Sequence, residues 1–437
     1  MIDFSVDAIP RPVSFLIRKL EGANHLVYVV GGAVRDICLK RPVTDWDLCT
    51  SASVDALLEI FRNESRFSPG HGTMVIVMEG HSYEITTFRG AAKTLASDLS
   101  KRDLTINAMA LDPSTGEIID PHHGRRDLQN RILRAVINPE DRFREDPLRL
   151  LRTVRLAAQL DFAIHQKTKE AIPALARLLS GVARERIREE LMKILMVPKP
   201  SKDFNTLITL GLLKEFLPEL LEGRLKRQNR YHRFTILKHV LETVDNVKAT
   251  PVLRLTALLH DVAKPRVRVK EKGTWRFKGH EKASAKLGEK IMKRLKFSKQ
   301  MIAEVTHLIR SHLIGYNPRW TDAAVRRFIK RVGADHMENL LAFRRADILA
   351  HGIQNGNQDI LFELDQRIQQ QLASSPPIQR SDLAIDGNDI MSVTGLSPGP
   401  AVGRILNQLN SIVLEHPQWN QKEKLMEILK TDGVLGL

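Results

Sequence analysis

The sequence predicts an α/β head followed by a long all-helical body. Three observations carry that expectation. Between residues 26 and 140 the runs HLVYVV, TDWDLCT, TMVIVME and YEITTFR are rich in Val, Ile, Thr and Tyr and read as strands. Beyond residue 140, EDPLRLLRTVRLAAQL, REELMKIL, FTILKHVLETV, LRLTALLHDVA and AEVTHLIRSHL follow helical periodicity, and strand signals nearly vanish. The length, 437 residues, suits two to four packed units at roughly 100–200 residues each.

Composition narrows the class of function. The chain is 43% hydrophobic and 27% charged, as an ordinary globular protein is, and its net charge of +16 points to a polyanionic partner. Nucleic acid suits that charge better than an anionic membrane surface. Aromatic residues make up only 5%, which argues against broad base stacking but not against backbone binding. No apolar run approaches the roughly 18–20 residues of a membrane span. The start, MIDFSVDAIPRP, lacks the charged-then-apolar pattern of a signal peptide. Two cysteines, Cys38 and Cys49, cannot staple such a chain, so a reducing cytoplasm is expected.

The first strand, HLVYVV, ends at Gly31-Gly32 and leads into a helix carrying Arg35. Glycine lets backbone amides approach phosphate oxygens, and the helix start adds positive partial charge. Asp45 and Asp47 follow in TDWDLCT. On a strand their side chains leave the same face. Adjacent carboxylates repel and call for a cation, and Mg²⁺ bridges such oxygens to phosphates. Glu84, in YEITTFR, is the candidate third carboxylate from a neighbouring strand.

In the next constellation, Asp146, Arg149, Arg152 and Arg155 recur every three residues. On one helix they form a polar face opposite Leu150, Leu151, Val154, Ala157 and Ala158. Aspartate accepts from a cytosine amino group, and arginine donates to ring acceptors or phosphates.

The stretch VVGGAVRDICLKRPVTDWDLCT resembles the first motif of the class II nucleotidyltransferases, the family of CCA-adding enzymes and bacterial poly(A) polymerases. LSKRDLTINAMALD, with Arg102, Asp103 and Asn107, looks like the second motif. DPHHGRRDLQNRILR, REDPLRLLRTVR and ARERIREEL look like the third, fourth and fifth. The resemblance implies a polymerase-β-like head over 1–140, a helical neck over 141–225, an HD domain over 226–374 and a helical tail over 378–437. It implies Mg²⁺ on Asp45 and Asp47. It implies nucleotide contacts from Gly31, Gly32, Arg35, Arg102, Asp103 and Asn107. Asp146 and Arg149 would template an incoming CTP or ATP, with Arg152 and Arg155 helping to hold it. The implied partner is tRNA, and the implied chemistry is nucleotidyl transfer selected by protein hydrogen bonds.

One departure bears on the product. Members that add the full CCA carry a long flexible segment where this chain has eight residues, Gly90–Ser97, between Arg89 and Asp98. The shortened segment resembles the CC-adding members, which leave the terminal adenosine to a separate A-adding enzyme. CC addition to the tRNA end is therefore the expected activity, with full CCA addition and poly(A) polymerisation as alternatives.

The helical middle holds His239, His260-Asp261, His280, His312 and Asp347 in an order resembling the HD phosphohydrolase superfamily. Imidazole and carboxylate suit Mn²⁺, Ni²⁺, Fe or Mg²⁺, and such a centre can activate water on a phosphoester. His232 is an alternative ligand to His239. A phosphohydrolase with a vestigial head, or a non-catalytic RNA-binding protein, would be the readings from other classes. The intact Asp45/Asp47 pair and the arginine ladder disfavour both. The tail, IDGNDIMSVTGLSPGPAVGRILNQL, resembles the C-terminal domain of bacterial HD-containing members. Its turn before a helix reads first as a capping loop and second as a phosphate contact. Basic clusters at Arg224–Arg233, Arg266–Lys278 and Arg326–Arg331 are suited to the tRNA backbone.

Overall fold

The computed structural model describes residues 8–62, 65–66, 72–353, 357–374 and 378–430. The expected break at 375–377 and the two chain ends lie outside them. The described residues fall into two compact units. One runs to Val197 and takes in Lys202–Pro218, and the other comprises Pro198–Ser201 and everything from Glu219.

The first unit is built on a mixed sheet of β1 (Val27–Val30), β2 (Asp47–Thr50), β3 (Ser65–Arg66), β4 (Thr73–Met78), β5 (His81–Thr87), β6 (Ala110–Leu111) and β7 (Ile118–Ile119), in the order β3-β4-β5-β2-β1-β6-β7. Only β2 and β5 pair in parallel; the other neighbours are antiparallel. Strand alternation splits the apolar residues between two faces. Val29, Leu48, Ile76 and Ile85 join a large core with Leu16 and Leu20 from the helix Arg11–Gly22 and Val34 from the helix Gly32–Cys38. The opposite face carries a smaller cluster of Val30, Cys49, Phe88, Leu99 and Ala110. Helices then follow, among them Pro139–Glu145, Leu148–Leu160 and Arg184–Leu195.

The second unit is mainly helical. Ile236–Asn246, Pro251–Leu259, His280–Arg294, Lys299–Ser311 and Met337–Leu349 surround the histidine-rich centre. Gly387–Thr394, Pro400–Glu415 and Lys422–Lys430 pack on a separate apolar cluster near the end.

Two expectations need correction. The second strand starts at Asp47, so Asp45 and Trp46 lie before it rather than within it. The helical body also contains a hairpin, Val269–Glu271 with Thr274–Arg276. Its turn, Lys272-Gly273, places both residues at positive φ, the geometry that matches the twist of paired strands.

Candidate active site and a second histidine–aspartate centre

Strand β2 delivers Asp47 to the face of the sheet opposite the large core. The parallel partner of Asp47 on β5 is Glu84, which therefore shares that face. Burial pushes the Asp47 carboxyl up to about 6, with Glu84 and then Asp45 adding to the rise and Arg102 opposing it. Asp45 thus acts on the same spot, although the alternation argument does not apply to it. Three neighbouring carboxylates, two of which raise the proton affinity of Asp47, form a donor set for a divalent cation. Asp45 is exposed and Asp47 half-buried, so the set is open to a ligand.

Gly31 sits beside this set at φ 73°. A Cβ there would lie 3.0 Å from Arg102 Nη1 and 3.5 Å from Asp47 Oδ2. Only glycine tolerates both the backbone and the close approach of the guanidinium. Gly32 opens the following helix with Arg35 packed over it.

The second-motif residues are linked to the arginine helix by a chain of contacts. Arg35 Nη1 donates to Asn107 Oδ1 at 3.0 Å, and Asn107 Nδ2 donates to Asp103 Oδ1 at 3.1 Å. Arg152 Nη1 donates to Asp103 Oδ2 at 3.3 Å. Burial alone would raise Asp103, but Arg152 and the bonds from Asn107 and the Leu104 amide hold it down at about 2. Arg152 and Arg155 both form ion pairs with buried Glu190, at 3.7 and 3.1 Å, the second without its N–H aimed at the oxygen.

The ladder itself is shorter than expected. Arg149, Arg152 and Arg155 lie on Leu148–Leu160, above buried Leu150, Leu151 and Val154. Asp146 stands outside the helix in extended backbone (φ −145°, ψ 98°). Pro147 is the reason, since a residue before proline is driven out of the α region. Asp146 is held instead by a bidentate pair with Arg186, at 3.1 and 2.8 Å. Arg149 donates to the Lys101 carbonyl at 2.8 Å and to the Arg142 carbonyl at 3.1 Å.

The sequence reading assigned no role to Glu190, Arg186 or Asp98. Asp98 is fully buried and accepts from Arg89 Nε at 2.8 Å and Arg102 Nε at 3.0 Å. Burial favours its neutral form, yet the two arginines hold its carboxyl below the usual range. Glu190 and Arg186 stood inside ARERIREEL, and their charges were the available signal.

In the second unit, His239, His260, Asp261, His280, His312 and Asp347 are all buried and brought together. His239 Nε2 lies 3.2 Å from His260 Nε2 and 3.0 Å from Asp347 Oδ1. His260 Nε2 lies 3.1 Å from Asp261 Oδ2, while His280 Nε2 lies 3.4 Å from Asp261 Oδ1 and 3.2 Å from His312 Nε2. Main-chain carbonyls hold the rings from behind: Nδ1 of His239, His260, His280 and His312 meets the carbonyls of Ala350, Ala257, Phe277 and Ile309. This orients each Nε2 inward, as metal-binding imidazoles are oriented. Both oxygens of Asp261 lack an aligned hydrogen bond. Burial would lower His260, but Asp261 and Asp347 raise it to about 9; at His312 burial and the neighbouring His260 outweigh the same two carboxylates, and it falls to about 3. The group fits a divalent cation, with imidazole and carboxylate donors converging.

His232 does not replace His239. Its ring packs against both His239 and His351, with ring centres 5.1 and 4.2 Å apart, and these three form a further potential donor group. Lys264 and Arg344, also unassigned from sequence, pair with Asp261 (2.6 Å) and Asp347.

A polymerase-β-like head with grouped carboxylates, followed by helical regions, defines a nucleotidyltransferase. The Poly A polymerase head domain matches residues 27–134, the probable RNA and SrmB-binding site of polymerase A matches 161–223, and tRNA nucleotidyltransferase domain 2 matches 279–429. A CCA-adding enzyme of Limosilactobacillus reuteri is 31% identical over 440 residues, covering 96% of each chain. One from Enterococcus faecalis is 29% identical over 436 residues, with the same coverage. The crystal structure of the Bacillus stearothermophilus CCA-adding enzyme in complex with CTP superposes with a TM-score of 0.71 at 27% identity, covering 96% of this chain and 97% of that one. The chain belongs to the CCA-adding enzyme family of tRNA nucleotidyltransferases. Among the described residues, no helix is long and apolar enough to cross a membrane.

Proposed function

We propose that this chain adds cytidylates from CTP to the 3′ end of tRNA and stops after the second. The observation that carries the product assignment is the connection Gly90–Ser97. Its last three residues are already helix, since Thr94 caps Leu95–Ser100. Its ends are tied, because both the amide and Nε of Arg89 donate to Asp98. Gly90, at φ 91°, packs so tightly on Ser97 that a Cβ would overlap its hydroxyl. Five residues outside the helix, the last of them its cap, are too few to swing as a lever on the base-reading residues. The pocket then keeps one setting, with Asp146 clamped by Arg186.

Asp45 and Asp47, with Glu84, would hold Mg²⁺, which when bound neutralises phosphate charge and lowers the pKa of the attacking 3′-hydroxyl. Gly31 leaves room for the α-phosphate near Asp47. Arg35 and Arg102 supply positive charge on the same side. Asp146 and Arg149 offer an acceptor and donors that suit the edge of cytosine, and Arg152 and Arg155 keep the helix charged toward the nucleotide. The terminal adenylate would come from a second nucleotidyltransferase.

The names of the relatives favour a second reading, full CCA addition by this chain alone. One assay separates the two. A tRNA lacking CCA is incubated with CTP and ATP and its product resolved at single-nucleotide length. Accumulation at CC supports the proposal, and efficient conversion to CCA supports the second reading.

We also assign a divalent cation, Mn²⁺, Ni²⁺, Fe or Mg²⁺, to the six buried ligands of the second unit, with phosphoester hydrolysis as its chemistry. Phosphatase assays after metal reconstitution, against H260A, test that assignment.

A further inference from the structure

The hairpin Val269–Arg276 contributes Arg276 to the lining of a cavity of about 360 Å³, which Lys264, Lys278 and the Asp261, His280, His312 and Asp347 members of the buried cluster also line. Arg268 lies over the Trp275 indole at 3.4 Å from the ring centre, and Lys270, the cross-strand partner of Trp275, approaches the same ring. An arginine plane resting on an indole is a surface on which a nucleobase can stack.

The surrounding charge is one-sided. Six cations lie between Arg266 and Lys278, with Glu271 as the single carboxylate. Arg266 pairs with Glu222 and Lys278 with Glu271. Arg268, Lys270, Lys272 and Arg276 have no carboxylate partner among the described residues. Unneutralised cations beside an aromatic platform are the combination that tracks a single-stranded backbone while accepting any base. A membrane fits less well, because Val269 is the one large apolar side chain of the hairpin that is mostly exposed.

We infer that this hairpin is a receptor for an unpaired RNA 3′ end, stacking a base on the Arg268–Trp275 pair and directing the end toward the cavity. The inference concerns binding alone and does not depend on the nucleotide specificity of the head.

The test uses the full chain and a single-stranded RNA pentamer whose last nucleotide is 4-thiouridine. Ultraviolet crosslinking is followed by peptide mapping. Crosslinks should map between Arg268 and Lys278. W275A should lower both yield and affinity roughly tenfold, and W275F should retain most of each. Because W275A removes a half-buried ring, K270Q/K272Q provides a surface variant that keeps the fold. It should reduce the slope of log affinity against log salt by about 1.4. CTP incorporation into tRNA by the unaltered chain, measured in parallel, tests the head by itself, so failure here is distinct from failure of the head assignment. Crosslinks confined to the first unit, a W275A yield equal to wild type, or Trp275-dependent binding to phosphatidylserine vesicles with no RNA crosslink would each overturn the inference.

Discussion

In the head, half-buried Asp47 sits side by side with Glu84 on one face of a sheet, and exposed Asp45 lies just before the strand. In the second unit, six donors are buried and already in contact through pairs of 3.0–3.5 Å. The first arrangement is electrostatically incomplete: its carboxylates repel and wait for a cation and a charged substrate. The second arrangement has its own internal compensation. Asp261 is balanced by His260 and Lys264, and Asp347 by Arg344. A site that must release a product at each turn is left unsatisfied. A cluster held by five helices is satisfied before any ligand arrives. Mutations should therefore separate the two, with activity lost in the head and stability lost in the second unit.

The largest effect should be in the head. D45A/D47A should lower CTP incorporation by about 10³-fold or more, through loss of the cation donors. Its thermal midpoint should stay level or rise, since repulsion is relieved. Incorporation that survives the double change would place the chemistry elsewhere.

The converse change is D261A. Removing one member of a buried charge network leaves Lys264 and His260 uncompensated, which costs about 3–5 kcal/mol. The thermal midpoint should fall by about 6–20 °C, at roughly 2–4 °C per kcal/mol for a unit of this size. CTP incorporation at 25 °C should remain near wild type. A stable D261A chain would mean that the centre is not the pre-compensated cluster described here.

The two sites were also unequally legible. Gly31 to Asp47 spans a short local stretch, so the strand, turn and carboxylate order could be read directly. The histidine–aspartate ligands span more than 100 residues, yet each sits at a helix position whose spacing and order carry a pattern. The partners that tune both sites were not legible. Glu190 and Arg186 act through ion pairs between distant segments, Asp98 pairs with Arg89 and Arg102 nearby in sequence, and a charged residue in a helix looks the same whether it is solvated or buried. The position of Asp146 was readable in principle from Pro147, but periodicity outweighed the proline. The hairpin escaped because strands of three residues with alternating charge lack an apolar face.

A smaller effect should come from the clamp on Asp146. R186A leaves the acceptor in place but frees it to rotate, so the cost should fall on discrimination between bases. A well-placed contact of this type separates bases by about 1–3 kcal/mol, or roughly 5–150-fold. The preference for CTP over UTP and ATP should therefore fall by about tenfold, with a smaller change in kcat. Unchanged preference would remove Asp146 from the reading of the base.

The smallest effect follows from the carboxyl of Asp47, raised to about 6. Because its folded value lies above the ordinary one, the folded chain holds this proton more tightly than the unfolded chain. Without metal, the stability it contributes is full below about pH 4 and is lost as the pH rises through 6. Mg²⁺ should reverse that trend, since the cation binds the deprotonated form. At limiting Mg²⁺, protons and metal compete for the same oxygens. The deprotonated fraction falls from about nine-tenths at pH 7 to about one-quarter at pH 5.5, so kcat/KM for CTP should drop about fourfold over that range. Raising Mg²⁺ should move the inflection to lower pH. D261N should leave the profile unchanged, because its carboxylate belongs to the centre that already carries its own counter-charges. A profile that responded to D261N and ignored Mg²⁺ would invert the contrast between an unfinished head and a finished cluster.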